Sequence, residues 1–208
     1  MNERIALDGD LVLHSLAGRC DELLLPWLEL YEIAFPPREK MLVSTILALL
    51  RDRENGNAPQ VELLAALQGG SFSGLVVYAR PAEALAHLWY LAVVPEQRSQ
   101  GLGSRLYQGL VRQLAADTRG MLIEVEIPEE PTTPDPGMAR RRVDFYRRQG
   151  ARVLGGIHYL QSVGPHQPLT PMHVLIHPFA PLSPEEAFAM AKVAFGDGLT
   201  QVSALSLE

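Results

Sequence analysis

The sequence holds a single cysteine, Cys20, so no disulfide can form within the chain, and a reducing compartment is expected. It has no excess of positive charge: 18 Lys and Arg stand against 24 Asp and Glu, a formal net charge of −6 with histidine neutral. That balance argues against nucleic acid or an anionic membrane as the main partner. No apolar run approaches the roughly 18–20 residues that a spanning helix needs. Met1–Asp10 carries Asn2, Glu3, Arg4, Asp8 and Asp10 instead of a signal-peptide pattern, and a cytoplasmic protein is expected. Internal repeats and low-complexity tracts are also missing. There is no Gly-x-x-x-x-Gly-Lys-Ser/Thr loop, no Gly-x-Gly-x-x-Gly with an acidic ribose ligand, and no Gly-x-Ser-x-Gly elbow. His158, His166, His173 and His177 are scattered over the last two expected strands and their loop without metal-ligand spacing, so no metal is expected.

What is present is a chain of 208 residues, 47% hydrophobic and 20% charged, which reads as globular with enough length for a sizeable core. Leu11–Leu16 is a short apolar run that predicts a strand. Apolar residues at helical spacing predict a helix over Asp21–Ala34, broken by Pro36-Pro37, and a second over about Arg38–Arg53. "ENGNAP" is a loop. Val61–Leu67 and Phe72–Arg80 read as a hairpin turning at Gly69-Gly70, followed by a strand at Leu85–Val94. A strand at Met121–Ile127, a Pro-rich loop at Pro128–Gly137, a helix at about Met138–Gln149 and strands near Ala151–Val163 and Pro171–Ile176 follow. Ser183-Pro184-Glu185-Glu186 has the signature of a capped helix start, running to about Phe195. The pattern predicts an α/β fold: a mixed, mostly antiparallel sheet of about seven strands with helices on both faces. One domain is expected over residues 1–208, with 183–208 as a C-terminal helical extension.

The segment "VVPEQRSQGLGSRLY", residues 93–107, carries the most information. Leu102, Leu106, Leu110 and Leu114 recur every four residues, which places a helix start near Ser99 or Gln100. Gly101 and Gly103 then fall in its first turn, each at a cost of about 1 kcal/mol relative to alanine. One explanation is a strand-to-helix turn that needs permissive dihedrals. The other is close approach by an anion such as a pyrophosphate, wrapped by first-turn N–H groups and favoured by the helix dipole, with Arg98 adding a full charge.

"RSQGLG", Arg98–Gly103, fits Arg/Gln-x-x-Gly-x-Gly/Ala, and here the chain resembles the GNAT superfamily of acyl-CoA-dependent N-acyltransferases. "LAVVPEQRSQGLGSRL" is similar to the family's fourth strand and third helix, "FYRRQGARVL" (Phe145–Leu154) to its later helix-to-strand segment, and "LYEIAFPPREK" (Leu30–Lys40) to its paired N-terminal helices. The order of elements from Leu11 to Ile176 agrees. Two departures stand out: Ala151 replaces the aromatic residue after Gly150, and Ala139 stands where an asparagine is often found, so one coenzyme contact is missing or replaced.

The resemblance implies transfer of the acetyl group of acetyl-CoA to a small-molecule or peptide amine by direct attack on the thioester. Backbone groups of Leu91, Ala92 and Val93 would pair with the pantetheine arm. Arg98, Ser99, Gln100, Gly101, Leu102, Gly103 and Ser104 would hold the pyrophosphate. Tyr146 occupies the family's tyrosine position, and a phenol near pKa 10 can protonate a departing thiolate. His87, fourteen residues before Gly101, lies where some family members place a base, although a lone strand histidine also serves as a packing residue. Strand alternation puts Glu124 and Glu126 on one face, where they could hold a cationic amine, carry its proton away through water, or face a solvent-filled groove. The basic run "RRRVDFYRR", Arg140–Arg148, reads first as a solvated helix face and second as a source of residues near the coenzyme's 3′-phosphate. A coenzyme-binding sensor without catalysis and an enzyme for a larger acyl group are the competing readings, and a homodimer is left open.

Overall fold

A computed structural model describes residues 4–55, 60–162 and 169–208. The chain runs β1 (Arg4–Asp8), β2 (Leu11–Ser15), α1 (Leu24–Ala34), α2 (Val43–Glu54), β3 (Val61–Gln68), β4 (Ser71–Ala82), β5 (Leu85–Val93), α3 (Leu102–Leu114), β6 (Gly120–Glu126), α4 (Pro136–Arg148), β7 (Arg152–Gln161), β8 (Thr170–Pro178), α5 (Pro184–Phe195) and β9 (Leu199–Leu207). The strands hydrogen-bond in the order β1-β2-β3-β4-β5-β6-β8-β7-β9. The β5–β6 ladder is parallel, from Leu85↔Gly120 to Leu88↔Ile123, and the β6–β8, β7–β8 and β7–β9 ladders are antiparallel. The fold is thus mixed α/β on a large open sheet.

Nine strands replace the expected seven or so, and the residues after Phe195 correct the expected helical extension. Only Pro184–Phe195 is α-helical there, and Leu199–Leu207 is strand β9. Five of its nine residues in a row are exposed, so it carries no alternating pattern to read. Its strand state comes from its partner: Leu154 pairs with Leu207 and Tyr159 with Leu199, and Val153 and Glu208 exchange backbone hydrogen bonds of 2.8 and 3.0 Å. β1 adds a strand that the expectation lacks: its alternation rests on Ile5 and Leu7 alone, within five residues, and it is held by β2. The second predicted helix is also divided. Pro37–Glu39 is a 3-10 turn, and α2 begins only at Val43. Between them the backbone is satisfied by tyrosines: Tyr90 Oη donates to Glu39 O, Met41 N–H donates to Tyr90 Oη, and Tyr31 Oη donates to Met41 O. Val163, His166 and most of the "ENGNAP" loop lie outside the described residues.

The chain gathers into two compact units, Met1–Ala79 with Trp89–Gln113, and Arg80–Leu88 with Leu114–Glu208. In the first, alternate residues of the strands turn Leu63, Ala65, Leu75, Val77, Tyr90 and Ala92 toward Trp27, Leu30 and Tyr31 of α1 and Ile46 and Leu50 of α2. Val93 alternates to the opposite face, where a Cβ on Gly103 of α3 would meet its Cγ2 at 3.8 Å. The Gly69-Gly70 turn has φ of +57° and +82°, the left-handed pair that a two-residue hairpin requires. In the second unit, Leu85, Leu122, Val174 and Ile176 form one apolar face under α5, whose Ala187 and Ala191 let the helix come close. The start of α5 is fixed by a complete capping box between Ser183 and Glu186, as its sequence predicts.

Candidate active site

The turn between β5 and α3 is the most specific local structure in the first unit. Ser99 and Gly101 have φ of +62° and +81°, and α3 starts at Leu102 instead of near Ser99. Gly101 therefore belongs to the turn, and its left-handed backbone explains the glycine. Gly103 lies inside the helix, where that explanation does not apply. A Cβ there would meet only Val93 Cγ2 at 3.8 Å, an ordinary contact. Its helix cost of about 1 kcal/mol is therefore not offset by close packing within the chain, which fits a glycine kept clear for a bound group. Arg105 N–H reaches Gly101 O at 3.1 Å, so the first-turn N–H groups ahead of it have no i−4 acceptor in the helix. The Leu102 side chain is buried. Arg98 Nε donates to Val93 O at 3.1 Å, tying the guanidinium to the end of β5.

The three strand residues expected to pair with pantetheine are not equivalent. A Cβ on Gly74 would lie 2.5 Å from Ala92 O, and Val94 N–H donates to Ser73 O at 3.1 Å. Ala92 thus turns its carbonyl to β4, and alternation turns the backbone groups of Leu91 and Val93 to the other edge.

In the second unit, the structure joins His87 and Glu124 into one buried assembly. His87 on β5 is in register with Leu122 on β6, so its side chain and that of Glu124 lie on the same face. His87 Nε2 is 3.0 Å from Glu124 Oε2, and both side chains are about one-tenth exposed. Tyr159 on β7 donates its hydroxyl to Glu124 Oε1, and Gln161 contributes a further side-chain hydrogen bond. Burial opposes ionisation of Glu124, yet the hydrogen bonds and the His87 charge prevail and hold the carboxyl below its ordinary range. Burial, with the Glu124 charge and hydrogen bond, pushes the Tyr159 phenol well up. Glu126 goes elsewhere: Arg142 Nη1 on α4 donates to its Oε2 at 2.9 Å.

The family model described as acetyltransferase (GNAT) family matches residues 25–151, more than half of the chain. The chain belongs to the GNAT acetyltransferase family. No curated sequence matches it. Among solved structures, a GNAT-family protein of Bacteroides thetaiotaomicron is similar at 21% identity and a TM-score of 0.65, covering 83% of this chain and 92% of its own. An acetyltransferase of Salmonella typhimurium that modifies the N-terminal serine of ribosomal protein L7/L12 is 13% identical, with a TM-score of 0.60 and 85% and 99% coverage. RimL, a ribosomal L7/L12 α-N-protein acetyltransferase in complex with coenzyme A, is 14% identical, with a TM-score of 0.58 and 85% and 98% coverage.

In this GNAT chain, Tyr146 sits near the end of α4, partly buried, with the Phe145 ring 5.1 Å away. Burial of its phenol pushes the pKa up to about 12, while the charge of Arg142 one turn earlier pulls it down. Such a phenol keeps its proton at neutral pH. The basic run of α4 meets carboxylates: Arg140 pairs with Glu129 at 2.6 Å and Arg142 with Glu126. Among the described residues, no three His, Cys, Asp or Glu side chains gather into a metal-binding group. A surface cavity of about 460 Å³ is lined by Ala17, Gly18, Cys20, Asp21, Glu22 and Glu54, none of them among the expected site residues. Sequence reading missed Tyr159 and Gln161, and named Arg142 only within the basic run Arg140–Arg148. The first two are spaced by two on β7, a signal of a shared strand face that needs a known partner strand to be used.

Burial lowers the pKa of His177 on β8 in the GNAT fold. The unfolded value is near 6.5, so the unfolded chain binds more protons and stability rises with pH across this window. The contribution is present above about pH 6.5 and is lost as pH falls toward the lower folded value. Melting temperature is therefore expected to drop between pH 7 and pH 5, and His177→Gln should flatten that drop; an identical slope in the variant would assign the pH dependence to other groups.

Proposed function

We propose that this acetyltransferase transfers the acetyl group of acetyl-CoA to a free α-amino group, on a peptide or a small molecule. The observation that carries the coenzyme part is Gly103, a helical glycine with room for a Cβ, next to the left-handed turn at Ser99 and Gly101. In this reading the turn and the first N–H groups of α3 bind the pyrophosphate, assisted by Arg98. Leu91 and Val93 supply backbone groups to the pantetheine arm, and a main-chain N–H there stabilises the oxyanion. The amine nitrogen attacks the carbonyl carbon, the C–N bond forms and the C–S bond breaks. The amine proton passes through water to His87, whose imidazolium is stabilised by Glu124, and Tyr146 gives its proton to the thiolate.

The choice of an α-amine follows from the carboxylates. Glu124 is bound to His87 and Tyr159, and Glu126 to Arg142, so both are already engaged as counter-charges within the chain. A lysine-type amine is almost wholly protonated at pH 7, a handicap of roughly 4–5 kcal/mol, whereas an α-amine with pKa near 7.7–8.0 is about one-tenth neutral or more. Histidine is a base of adequate strength only for the second.

Two measurements test this. Calorimetry of Gly103→Val should show acetyl-CoA affinity at least tenfold weaker, about 1.4 kcal/mol, with the fold intact. Unchanged affinity would remove the turn from the coenzyme site. Free-thiol release should then be faster with N-terminally free peptides than with Nα-blocked lysine peptides. Tight acetyl-CoA binding with no release from any amine would establish the sensor reading instead, and faster release from a longer acyl-CoA would establish a different donor.

A further inference from the structure

We infer that Tyr159, braced by Phe195, is a positioning residue for the His87–Glu124 pair, so that the C-terminal corner between α5 and β9 completes the proton-accepting part of the site. The inference rests on the proposed role of His87. It adds residues that lie beyond 25–151, the span the family model matches.

The atoms determine the chemistry. An ionised carboxylate only accepts hydrogen bonds, so a donor stands at each oxygen: His87 Nε2–H at Oε2 and the Tyr159 hydroxyl at Oε1. The proton of the imidazole is thereby placed on Nε2, and Glu124 is the counter-charge of the ring when it is protonated. This arrangement holds only while Glu124 stays ionised on a strand where burial opposes it, and the Tyr159 hydroxyl is one of the donors that keep it so.

Phe195, the last residue of α5, touches both ends of this chain. Its ring lies 4.9 Å from that of His87 at 86° and 4.5 Å from that of Tyr159 at 39°. One aromatic side chain thus limits the rotation of both partners of the carboxylate. Phe195 is itself held by the corner that follows. Gly196 takes φ of +53°, Lys192 Nζ donates to Gly196 O at 2.7 Å and to Leu199 O at 3.1 Å, and Leu199 pairs with Tyr159 in the β7–β9 ladder. The ionisable groups bonded to Glu124 are His87 from β5 and Tyr159 from β7; α5 brings the neutral Phe195, and its Lys192 is turned to the corner carbonyls.

The test uses the full chain, with Glu124 read by carbon-detected NMR titration and turnover read with acetyl-CoA and an N-terminally free peptide. Tyr159→Phe keeps the ring and removes only the hydroxyl. Its Glu124 midpoint should rise by about one to two pH units, the worth of a hydrogen bond to a charged group. Turnover at pH 7 should fall at least about fivefold with KM for acetyl-CoA unchanged. Phe195→Leu should speed exchange of the His87 Nε2 proton with solvent. An unmoved Glu124 midpoint in Tyr159→Phe overturns the inference whatever the activity. A moved midpoint together with full turnover in His87→Ala overturns the base reading alone, because the titration reports the hold of Tyr159 on Glu124 without reference to catalysis.

Discussion

Tyr146→Phe is expected to lower turnover by about 10²–10⁴-fold, the usual contribution of a general acid or base, while KM for acetyl-CoA changes little. In the proposed mechanism the hydroxyl is used after the amine has attacked, so its loss should be felt in the step that expels the thiolate and not in binding. Burial raises the phenol's pKa to about 12, so it holds its proton at neutral pH. The ring remains in the phenylalanine variant, so packing against Phe145 at the end of α4 is preserved and the melting temperature should stay near that of the wild type. The comparison is made at saturating acetyl-CoA in single-turnover mode, where chemistry is observed. Wild-type turnover in that mode would make Tyr146 a packing residue.

Trp27→Ala is expected to destabilise the protein by about 3–5 kcal/mol, the range for truncating a buried tryptophan. Trp27 has no exposed surface, its ring stacks on Tyr31 at 5.4 Å and 18°, and its Nε1 donates to Leu64 O at 3.0 Å across to β3. Alanine would leave a cavity under α1 and remove the indole hydrogen bond to Leu64 O. A loss of that size is a large share of the roughly 5–15 kcal/mol that holds a typical domain together. Urea unfolding should show a lower midpoint with an unchanged slope, and Trp27→Phe should recover part of the loss. A shift below about 1 kcal/mol would mean that α1 is not anchored through this residue.

The elements that sequence reading located are those whose residues carry their own local signal. Gly69-Gly70 needs a left-handed backbone at both positions, and Ser183-Pro184-Glu185-Glu186 closes its own hydrogen bonds, so each is decided within a few residues. The leucine stripe of α3 is decided by helical spacing, with the start displaced to Leu102 because Gly101 takes a dihedral that no helix accepts. Leu199–Leu207 has no such signal, because most of its residues face solvent, and its strand state depends on β7 being beside it.

The same division runs through the site. Arg98, Gly101 and Gly103 stand out as candidates because a strand end, a glycine pair and a leucine stripe mark their turn, and Tyr146 because the resemblance to the family points to its position. Alternation could put Glu124 and Glu126 on a common face, but it could not give their partners. Glu124 meets His87 from a strand that precedes it by a whole helix and Tyr159 from one that follows it, and Glu126 meets Arg142 from α4. A carboxylate in the sequence has a charge and a face; whether it is a counter-ion for substrate or one link in a buried proton path depends on which donors the fold brings within hydrogen-bonding distance. That distance is a property of strand order and helix packing, which local periodicity does not encode.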